Sequence, residues 1–367
     1  MKIICSQKKL STAVNIVQKA VSTKTTLPIL KGILLEAKND KLKLVGNDLD
    51  IGIEHEIDTK IIREGSIVIS SRIFGDIVRK LPDSDVEIDV DDNNNVYIKC
   101  GHSDFKLVGQ SALEFPELPY VEEENTCIID QDLLRNMIRQ TIFATSQDET
   151  RPILTGALIE ILNNNISMVA IDGYRLALRR AFIDTDIQNK AVIPSKTLNE
   201  INRILGSESD GNVYISFTDK HILFKIDETR IISRLLEGEF INYEQIIPRE
   251  YKSKVRVNTK ELLNSIERAS LLAKEGKNNL IKFSIRDDFM NISSNVEIGS
   301  VNEEVAIELE GEDIDIGFNS KYLLEALKVM DSEEINLEFT TSVSPCIMKP
   351  ADNENYIYLV LPVRLSK

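Results

Sequence analysis

Few side chains in this sequence combine the types and the spacing that catalysis or metal binding requires. The three histidines, His55, His102 and His221, lie far apart, and none is next to a cysteine or an acidic cluster. The sequence contains no HExxH zinc motif, no phosphate-binding P-loop and no G-x-S-x-G nucleophile turn. We therefore expect no catalytic residue, no metal site and no bound cofactor.

Three carboxylates keep one enzymatic hypothesis open, that of a metal-dependent nuclease. Asp48, Asp172 and Glu160 could supply its metal ligands, although no known motif spacing supports them. Asp48 and Asp172 occupy matching places in two similar stretches of the chain. That placement suits a role in a turn better than a role in catalysis.

Charge and cysteine usage narrow the class of protein. The formal net charge is -15, which argues against a simple nucleic-acid-coating protein. The cysteines Cys5, Cys100, Cys127 and Cys346 form no C-x-x-C pair, which favours a reducing cytosol. No stretch has the run of uncharged apolar residues that a membrane helix requires. We expect a cytoplasmic protein of two or three domains without a membrane partner.

An internal repeat sets the domain organisation. TLPILKGILLE at 26–36 returns as TRPILTGALIE at 150–160. The number of residues between these two stretches also separates Asp48 from Asp172, Arg72 from Lys196, and Leu81 from Leu205. A third copy is weaker: LLNSIERASLLAK from Leu262 resembles LLRNMIRQTIFAT from Leu133, and NSKYLLEALKVM from Asn319 resembles PSKTLNEINRIL from Pro194. We predict three repeated domains, at 1–125, 126–252 and 253–367.

Each repeat predicts two helices and several alternating strands, so the fold class is α+β with antiparallel sheets. The predicted helices span 6–24, 70–80, 130–146, 194–205, 258–277 and 318–330. In the first repeat, strands are predicted at 29–37, 41–46, 51–58, 66–70, 86–90, 96–100 and 104–108. Pro28 is expected at the start of the first of these strands, and Gly32 at a bulge or a close backbone approach.

The two signs of charge are segregated by secondary structure. Lysine and arginine outnumber aspartate and glutamate in the predicted helices, whereas the rest of the chain is strongly acidic. A basic helical face suits sequence-independent contact with phosphate, although any one such residue could be an ordinary solvated charge. The helical candidates for contact with DNA are Lys8, Lys19, Arg72, Arg79, Arg135, Arg139, Arg203, Lys274 and Lys321.

The whole chain resembles the bacterial DNA polymerase III β subunits, the sliding clamps. The resemblance rests on these stretches together: TLPILKGILLE (26–36), VGNDLDI (45–51), VAIDGYRLAL (169–178), GEFINYEQIIP (238–248), GFNSKYLLEAL (317–327), TTSVSP (340–345) and YLVLPVRL (358–365). It implies a homodimer whose six clamp domains close into a ring around duplex DNA. Such a ring tethers the replicative polymerase and repair proteins near the nucleoid without catalysis of its own. A protein-interaction scaffold that never encircles DNA is the alternative.

The resemblance also implies site residues. For DNA it adds Lys24, Asp148, Arg151 and Lys196. For the dimer seam it indicates Phe105 and Lys106 of one copy against Leu271 and Leu272 of the other, with Glu303 and Glu304 nearby; Phe105 as a core residue stays an alternative.

The third implied site is an apolar pocket for short linear peptides of polymerases, including repair polymerases, and of the clamp loader. Its expected residues are Leu154, Ile171, Gly173, Tyr174, Arg175, Leu176, Ile241, Ile246, Asn319, Tyr322, Val343, Pro345, Leu359, Leu361, Pro362, Val363, Arg364 and Leu365. Apolar members of this set could also be ordinary core residues. Ser366 and Lys367, at the end of the sequence, receive no predicted role.

Overall fold

The computed structural model describes residues 1–22, 24–123, 125–206 and 211–365. Ser366 and Lys367 therefore lie outside the described residues. The chain divides into two compact units. The first combines Met1–Leu134 with Glu200–Leu235, and the second combines Arg135–Asn199 with the chain from Leu236 onward. Among the described residues, no helix has both the length and the apolar composition needed to cross a bilayer.

The first of three repeated modules places two helices against antiparallel strands. Its helices are α1 (Gln7–Val17) and α2 (Ser71–Lys80). Its strands are β1 (Lys2–Ser6), β2 (Gly32–Lys38), β3 (Lys41–Asn47), β4 (Ile51–Asp58), β5 (Lys60–Arg63), β6 (Gly65–Ser70), β7 (Asp85–Val90), β8 (Asn95–Cys100) and β9 (Ser103–Val108). Helix α1 buries Leu10, Ala13, Val14 and Val17 along one stripe, as its 3.6-residue period requires.

The second module repeats this order. Its helices are α3 (Gln131–Thr141) and α4 (Ser195–Ile204). Its strands are β10 (Thr126–Asp130), β11 (Gly156–Leu162), β12 (Asn165–Ile171), β13 (Arg175–Phe182), β14 (Asn189–Pro194), β15 (Asn212–Phe217), β16 (His221–Ile226) and β17 (Thr229–Arg234).

The third module has the same plan. Its helices are α5 (Thr259–Ala273) and α6 (Ser320–Leu327). Its strands are β18 (Ser253–Asn258), β19 (Leu280–Arg286), β20 (Phe289–Val296), β21 (Gly299–Ala306), β22 (Glu308–Gly311), β23 (Ile314–Asn319), β24 (Glu334–Phe339), β25 (Cys346–Pro350) and β26 (Tyr356–Val360). The α+β class and the three repeated modules predicted from the sequence are confirmed.

Neighbouring modules share continuous antiparallel sheets. In the first unit, an eight-stranded sheet runs β10-β15-β16-β17-β4-β3-β2-β6. In the second unit, a nine-stranded sheet runs β14-β11-β12-β13-β26-β25-β24-β18-β22. We call the pairings β17·β4 and β26·β13 the first and second joints. In each joint, the last strand of one module pairs with the equivalent strand, β4 or β13, of the preceding module.

Two smaller sheets complete the units. A five-stranded sheet in the first unit has the order β5-β1-β7-β8-β9, and a four-stranded sheet in the second unit has the order β21-β20-β19-β23. Strand β9 is the last strand of the first module, and β21 is the third-module equivalent of β4 and β13. Both lie at the outer edge of their sheets.

Some predicted element boundaries were wrong. The strand expected from residue 29 begins at Gly32, because Pro28–Lys31 forms a 3₁₀ turn. Proline suits the first position of such a turn, since its fixed φ is helical and its missing N–H would be unpaired there. Helix α1 is shorter than the predicted 6–24: it continues as a 3₁₀ turn over Gln18–Ala20 and then becomes extended at Val21. Strand β5 was missed.

Glycine is required for the same structural reason in both copies of the repeated stretch. A Cβ on Gly32 would lie 2.4 Å from a methyl of Val68 and 3.0 Å from the carbonyl oxygen of Ile69. A Cβ on Gly156 would lie 2.4 Å from the carbonyl oxygen of Ile193. Gly32 and Gly156 open β2 and β11, where the neighbouring strand passes too close for a side chain. The expected close backbone approach is confirmed.

We predict that Gly156→Ala destabilises the fold more than Gly32→Ala does. A backbone carbonyl cannot move aside as the end of a valine side chain can, and overpacking of this kind costs about 1–3 kcal/mol. Thermal unfolding of both variants, with exposed Lys31→Ala as the matched control, provides the measurement. Equal midpoints for Gly156→Ala and Lys31→Ala would contradict the explanation.

Candidate functional site

The second joint has two chemically different faces. Leu176 and Leu178 on β13, with Ile357 and Leu359 on β26, belong to one buried apolar cluster. The same cluster contains Leu154, Ile171, Phe240 and Tyr243, with Ile153 and Leu236 packed against it. Since side chains alternate along a strand, Arg175 and Arg179 of β13 and Tyr356 and Tyr358 of β26 project from the opposite face. Predicted pocket residues therefore form part of a real core, with a polar layer behind it.

A tight turn between β12 and β13 presents Tyr174 to solvent. Asp172 Oδ1 accepts hydrogen bonds from the backbone N–H of Tyr174 at 2.9 Å and of Arg175 at 3.1 Å. Gly173 has a φ of 90°, in the region that favours glycine. Tyr174 is consequently 61% exposed. The turn directs the side chain of Tyr174 outward and that of the next residue, Arg175, inward.

Arg175 organises the polar layer. Its Nε donates to Asp172 Oδ2 at 2.9 Å, its Nη2 donates to the carbonyl oxygen of Phe143 at 2.7 Å, and its Nη1 is paired with Glu325. The guanidinium lies 4.5 Å from the ring centroid of Tyr322. Arg175 is only 7% exposed, so a complete set of partners is needed to offset its desolvation.

The electrostatic balance at Arg175 favours its charged form. Burial lowers the pKa of Arg175, but neighbouring Tyr358, Glu325 and Asp172 outweigh burial and raise it above the ordinary value. The charged guanidinium also fixes Tyr322, whose ring stacks on Tyr174 with centroids 6.2 Å apart. The Tyr322 ring thus contacts both the Tyr174 ring and the Arg175 guanidinium.

The C-terminal segment crosses this site. The N–H of Leu361 donates to the carbonyl oxygen of Tyr174 at 2.9 Å, and the N–H of Val363 donates to that of Gly317 at 2.8 Å. Leu365 packs over Gly317, where an added Cβ would lie 2.8 Å from its Cδ2. The tail therefore lies against both the second-module turn and the third-module strand β23.

The other predicted pocket residues differ in exposure. Leu361 and Ile246 are each 38% exposed, Ile241 is 40% exposed and Val343 is 70% exposed. Pro345 and Pro362 are half-buried and Arg364 is exposed. Asn319 has a structural function, since its side-chain oxygen caps α6 by accepting from the N–H of Lys321 at 3.0 Å.

Sequence reasoning missed several residues of this site. Phe143, Glu325 and Gly317 each contact a predicted residue but were not predicted themselves. Glu325 lies one helical turn after Lys321, which was the one available signal. The sequence predicts Asp172 as a turn residue, but it does not predict the pairing of Asp172 with Arg175.

The predicted DNA-contacting residues fall into two groups. Exposed side chains are found at Lys8, Lys24, Arg72, Asp148, Arg151, Lys196 and Lys274. A second group forms ion pairs with carboxylates of the chain: Arg79 pairs with Asp76 at 2.6 Å, Arg203 pairs with Glu200 at 2.7 Å, Lys19 lies 4.0 Å from Glu200, Lys321 lies 3.9 Å from Glu325, and Arg139 pairs with Asp331. Arg135 is half-buried. Phosphate must compete with these carboxylates, so the second group is less available to DNA than the sequence suggested.

The predicted seam residues lie on or beside the two outer strands. Phe105 on β9 is 39% exposed and is not a core residue, and Lys106 lies 5.4 Å from the ring centroid of Tyr97. Leu271 of α5 is 67% exposed. Glu304 on β21 is also exposed, whereas Leu272 is half-buried.

One seam residue is already paired within the chain. The carboxylate of Glu303 binds Arg268 of α5, and this pairing, offset in part by burial, lowers the pKa of Glu303. Glu303 is therefore a partner of α5 rather than a free acidic group.

The nuclease hypothesis receives no support from geometry. Asp48 accepts from the N–H groups of Asp50 and Ile51, as Asp172 does in its own turn, which confirms the predicted turn role. Glu160 accepts from the Tyr243 hydroxyl at 2.9 Å and lies 3.5 Å from Lys190. Within the described residues, no group of three or more histidine, cysteine or acidic side chains could hold a metal ion.

Three helix-pair modules joined through shared sheets define the fold class of the DNA clamps, and comparison with known proteins agrees. Family models for the DNA polymerase III beta subunit match the chain in order: the N-terminal domain at 1–119, the central domain at 128–242 and the C-terminal domain at 244–364. The chain therefore belongs to the DNA polymerase III beta subunit family, the bacterial beta sliding clamps.

Individual relatives agree over the full length. The beta sliding clamp of Bacillus subtilis (strain 168) is 42% identical, with 99% of this chain and 100% of the relative aligned. The crystal structure of the DNA polymerase sliding clamp from Bacillus subtilis gives a TM-score of 0.97 at 41% identity, covering 100% of both chains. A putative DNA polymerase III beta subunit from Eubacterium rectale gives 0.96 at 41% identity, also with 100% coverage of both. The protein is a processivity clamp and not a catalytic subunit.

We predict that Arg175→Ala lowers the free energy of unfolding of the second unit by about 3–5 kcal/mol, because Asp172 and Glu325 would lose their buried cationic partner. Urea denaturation followed by far-UV circular dichroism provides the measurement. The matched control is Arg180→Ala on the same strand, whose exposed pair with Glu244 spans 3.5 Å. That control should cost less than about 1 kcal/mol. Comparable losses in the two variants would show that Arg175 has no special structural role.

Proposed function

We propose that two copies of this chain associate head to tail into a closed ring of six domains, 1–125, 126–252 and 253–367 of each copy, that encircles duplex DNA. The observation that carries this proposal is the recurrence of the joints. Twice along the chain, the last strand of a module pairs with the β4-type strand of the preceding module. Applying the same rule once more pairs β9 of one copy with β21 of the other.

The two outer strands have the chemistry that such a pairing needs. In the described part of the chain, β9 pairs with β8 alone and β21 with β20 alone, so each has one open edge of backbone N–H and C=O groups. Open edges are an aggregation hazard unless they are covered. Phe105 beside one edge and Leu271 beside the other supply exposed apolar area for the seam. The seam would join two different surfaces of the chain. Repeated association through such a seam produces an open filament unless the copies close into a ring.

DNA would be held by enclosure rather than by a tight binding site. Exposed lysines and arginines on the helices offer sequence-independent contacts with phosphate. The net charge of -15 means that most of the remaining surface repels DNA. Contacts of this kind would permit movement along the duplex, and binding to DNA would locate the protein at the nucleoid.

The surface beside the second joint would be the docking site for partners. We propose that short linear peptides of the replicative polymerase, repair polymerases and the clamp loader insert apolar side chains between Leu361, Val343 and Ile246. The stacked pair Tyr174–Tyr322 would form a rigid wall for the peptide. The buried cluster beneath supplies an apolar floor.

Topology provides the direct test of this function. The protein is loaded onto nicked circular DNA with its clamp loader and ATP, the complex is isolated, and the DNA is then cut once. A ring should remain on the circle and leave after linearisation. Retention on the linear DNA would indicate surface binding, and absence from the circle would favour the scaffold alternative; either result contradicts encirclement.

We predict that Leu271→Ala combined with Leu272→Ala converts the dimer to monomers, because the seam loses its apolar contact area. Light scattering coupled to size exclusion measures the mass. Phe182→Ala is the control: it removes another exposed aromatic (71% exposed), on β13 of the nine-stranded sheet, and should leave the dimer intact. A double variant that stays dimeric at low concentration would disprove the assigned seam.

A further inference from the structure

Within the described chain, the second joint contains buried polar atoms without hydrogen-bond partners. Arg179 of β13 and Tyr356 of β26 are directly opposite in the antiparallel ladder, so their side chains share one face of the sheet. Tyr356 is only 1% exposed. Its hydroxyl and the Nε of Arg179 have no hydrogen-bond partner among the described residues. Buried donors in folded proteins nearly always have an acceptor, so two donors without acceptors at one place require an explanation.

Helix α3 and the segment after α6 bring further groups to this place. Gln140 is 8% exposed; its Nε2 donates to the carbonyl oxygen of Val329 at 3.2 Å and to Asp331 at 3.4 Å. Its other side-chain atom, Oε1, is buried and unpartnered within the described chain. Arg139 pairs with Asp331. Two guanidinium groups, Arg139 and Arg179, thus face a single carboxylate, which leaves an excess positive charge.

The first joint shows that these unpaired atoms are not a general cost of the joint geometry. At the equivalent position of that joint, His55 is opposite Thr229. The Nδ1 of His55 and the hydroxyl of Thr229 lie 2.8 Å apart, so the two side chains pair with each other. The second joint replaces this self-sufficient pair with Arg179 and Tyr356, whose Nε and hydroxyl are not hydrogen-bonded to one another.

The free groups specify the chemistry of a ligand. Arg179 Nε and the Tyr356 hydroxyl can both donate, so the ligand must accept hydrogen bonds, and the excess positive charge favours an anion. Gln140 Oε1 can only accept, so the ligand must also carry a proton. Near neutral pH, inorganic phosphate has both acceptor oxygens and a P–OH group, whereas a phosphate monoester, with a second pKa of about 6, is mainly a dianion without that proton. Sulfate and the phosphodiesters of the DNA backbone have no such proton.

We propose that Arg139, Gln140, Arg179 and Tyr356 form a binding site for a hydrogenphosphate group, supplied by inorganic phosphate. Asp331, whose side chain is 65% exposed, marks the side open to solvent. Burial raises the pKa of Tyr356, although the nearby arginines oppose this, so the hydroxyl remains a donor at neutral pH. The site would stiffen the joint behind the peptide-docking surface when occupied.

The test is thermal unfolding of the full-length protein at neutral pH and constant ionic strength, with sodium phosphate or sodium sulfate replacing chloride. Phosphate should raise the unfolding midpoint of the wild type more than sulfate does. Equal shifts would indicate only general salting-out by both anions and would overturn the proposal. Calorimetric titration with phosphate then measures the affinity directly.

Two matched tyrosine variants on one strand make the assignment specific. Tyr356→Phe should weaken phosphate binding at least tenfold, and without phosphate it should be no less stable than the wild type, because the lost hydroxyl was unpaired. Tyr358→Phe removes a hydroxyl that donates to the carbonyl oxygen of Tyr322 at 2.9 Å. The Tyr358→Phe variant should lose the same amount of stability with and without phosphate, and it should still bind phosphate. Unchanged phosphate affinity in Tyr356→Phe, or its destabilisation without phosphate, would overturn the site.

A second variant and a competition experiment complete the design. Arg179→Gln should likewise lose at least tenfold in phosphate affinity, which covers the case that Tyr356→Phe does not fold. Short DNA duplexes, whose backbone phosphodiesters carry no P–OH group, should not compete with inorganic phosphate for the site. Competition by such duplexes would assign the site to backbone phosphodiesters and contradict the hydrogenphosphate proposal.

Discussion

Strand pairing between modules is the constraint on which the rest of this structure depends. Each joint extends an antiparallel ladder from one module into the next, so the backbone groups of β17 and β26 are satisfied by strands of the preceding module. This arrangement explains why the compact units of the chain do not coincide with its sequence repeats. A chain with a fixed number of modules must then leave one strand of each type, β9 and β21, without its usual neighbour.

The same constraint builds the functional surface. Because side chains alternate along a strand, one joint can present leucines on one face and arginine with tyrosine on the other. Leu176 and Leu359 contribute to the apolar cluster, while Arg175, in register with Val360, extends to Glu325 of α6. The C-terminal segment follows directly from β26, so its path beside Tyr174 is also set by the joint. The proposed peptide-docking surface and the module assembly therefore depend on one ladder.

The sequence predicted those features that depend on local pattern. Helices, most strands of the first module and the turn roles of Asp48 and Asp172 follow from periodicity and repeat position. The family resemblance then located the tail and the turn around Tyr174 at one site. It could not predict which carboxylate would meet each basic side chain, because those partners come from distant segments. Arg139 with Asp331 and Arg175 with Glu325 are examples, and the first of them removed a predicted DNA contact from the freely available set.

The central claim is that β9 and β21 pair across two copies as the strands of the joints pair within one. Backbone amide hydrogen exchange measures this pairing directly. The account predicts slow exchange for outward-facing amides of Ser103–Val108 and Gly299–Ala306 in the assembled protein, and fast exchange after dilution to monomers. Outward-facing amides of Glu308–Gly311, on the outermost strand of the nine-stranded sheet, provide an edge that should exchange fast in both states. Exchange from β9 and β21 as fast as from that edge, at concentrations where the protein is dimeric, would contradict the account.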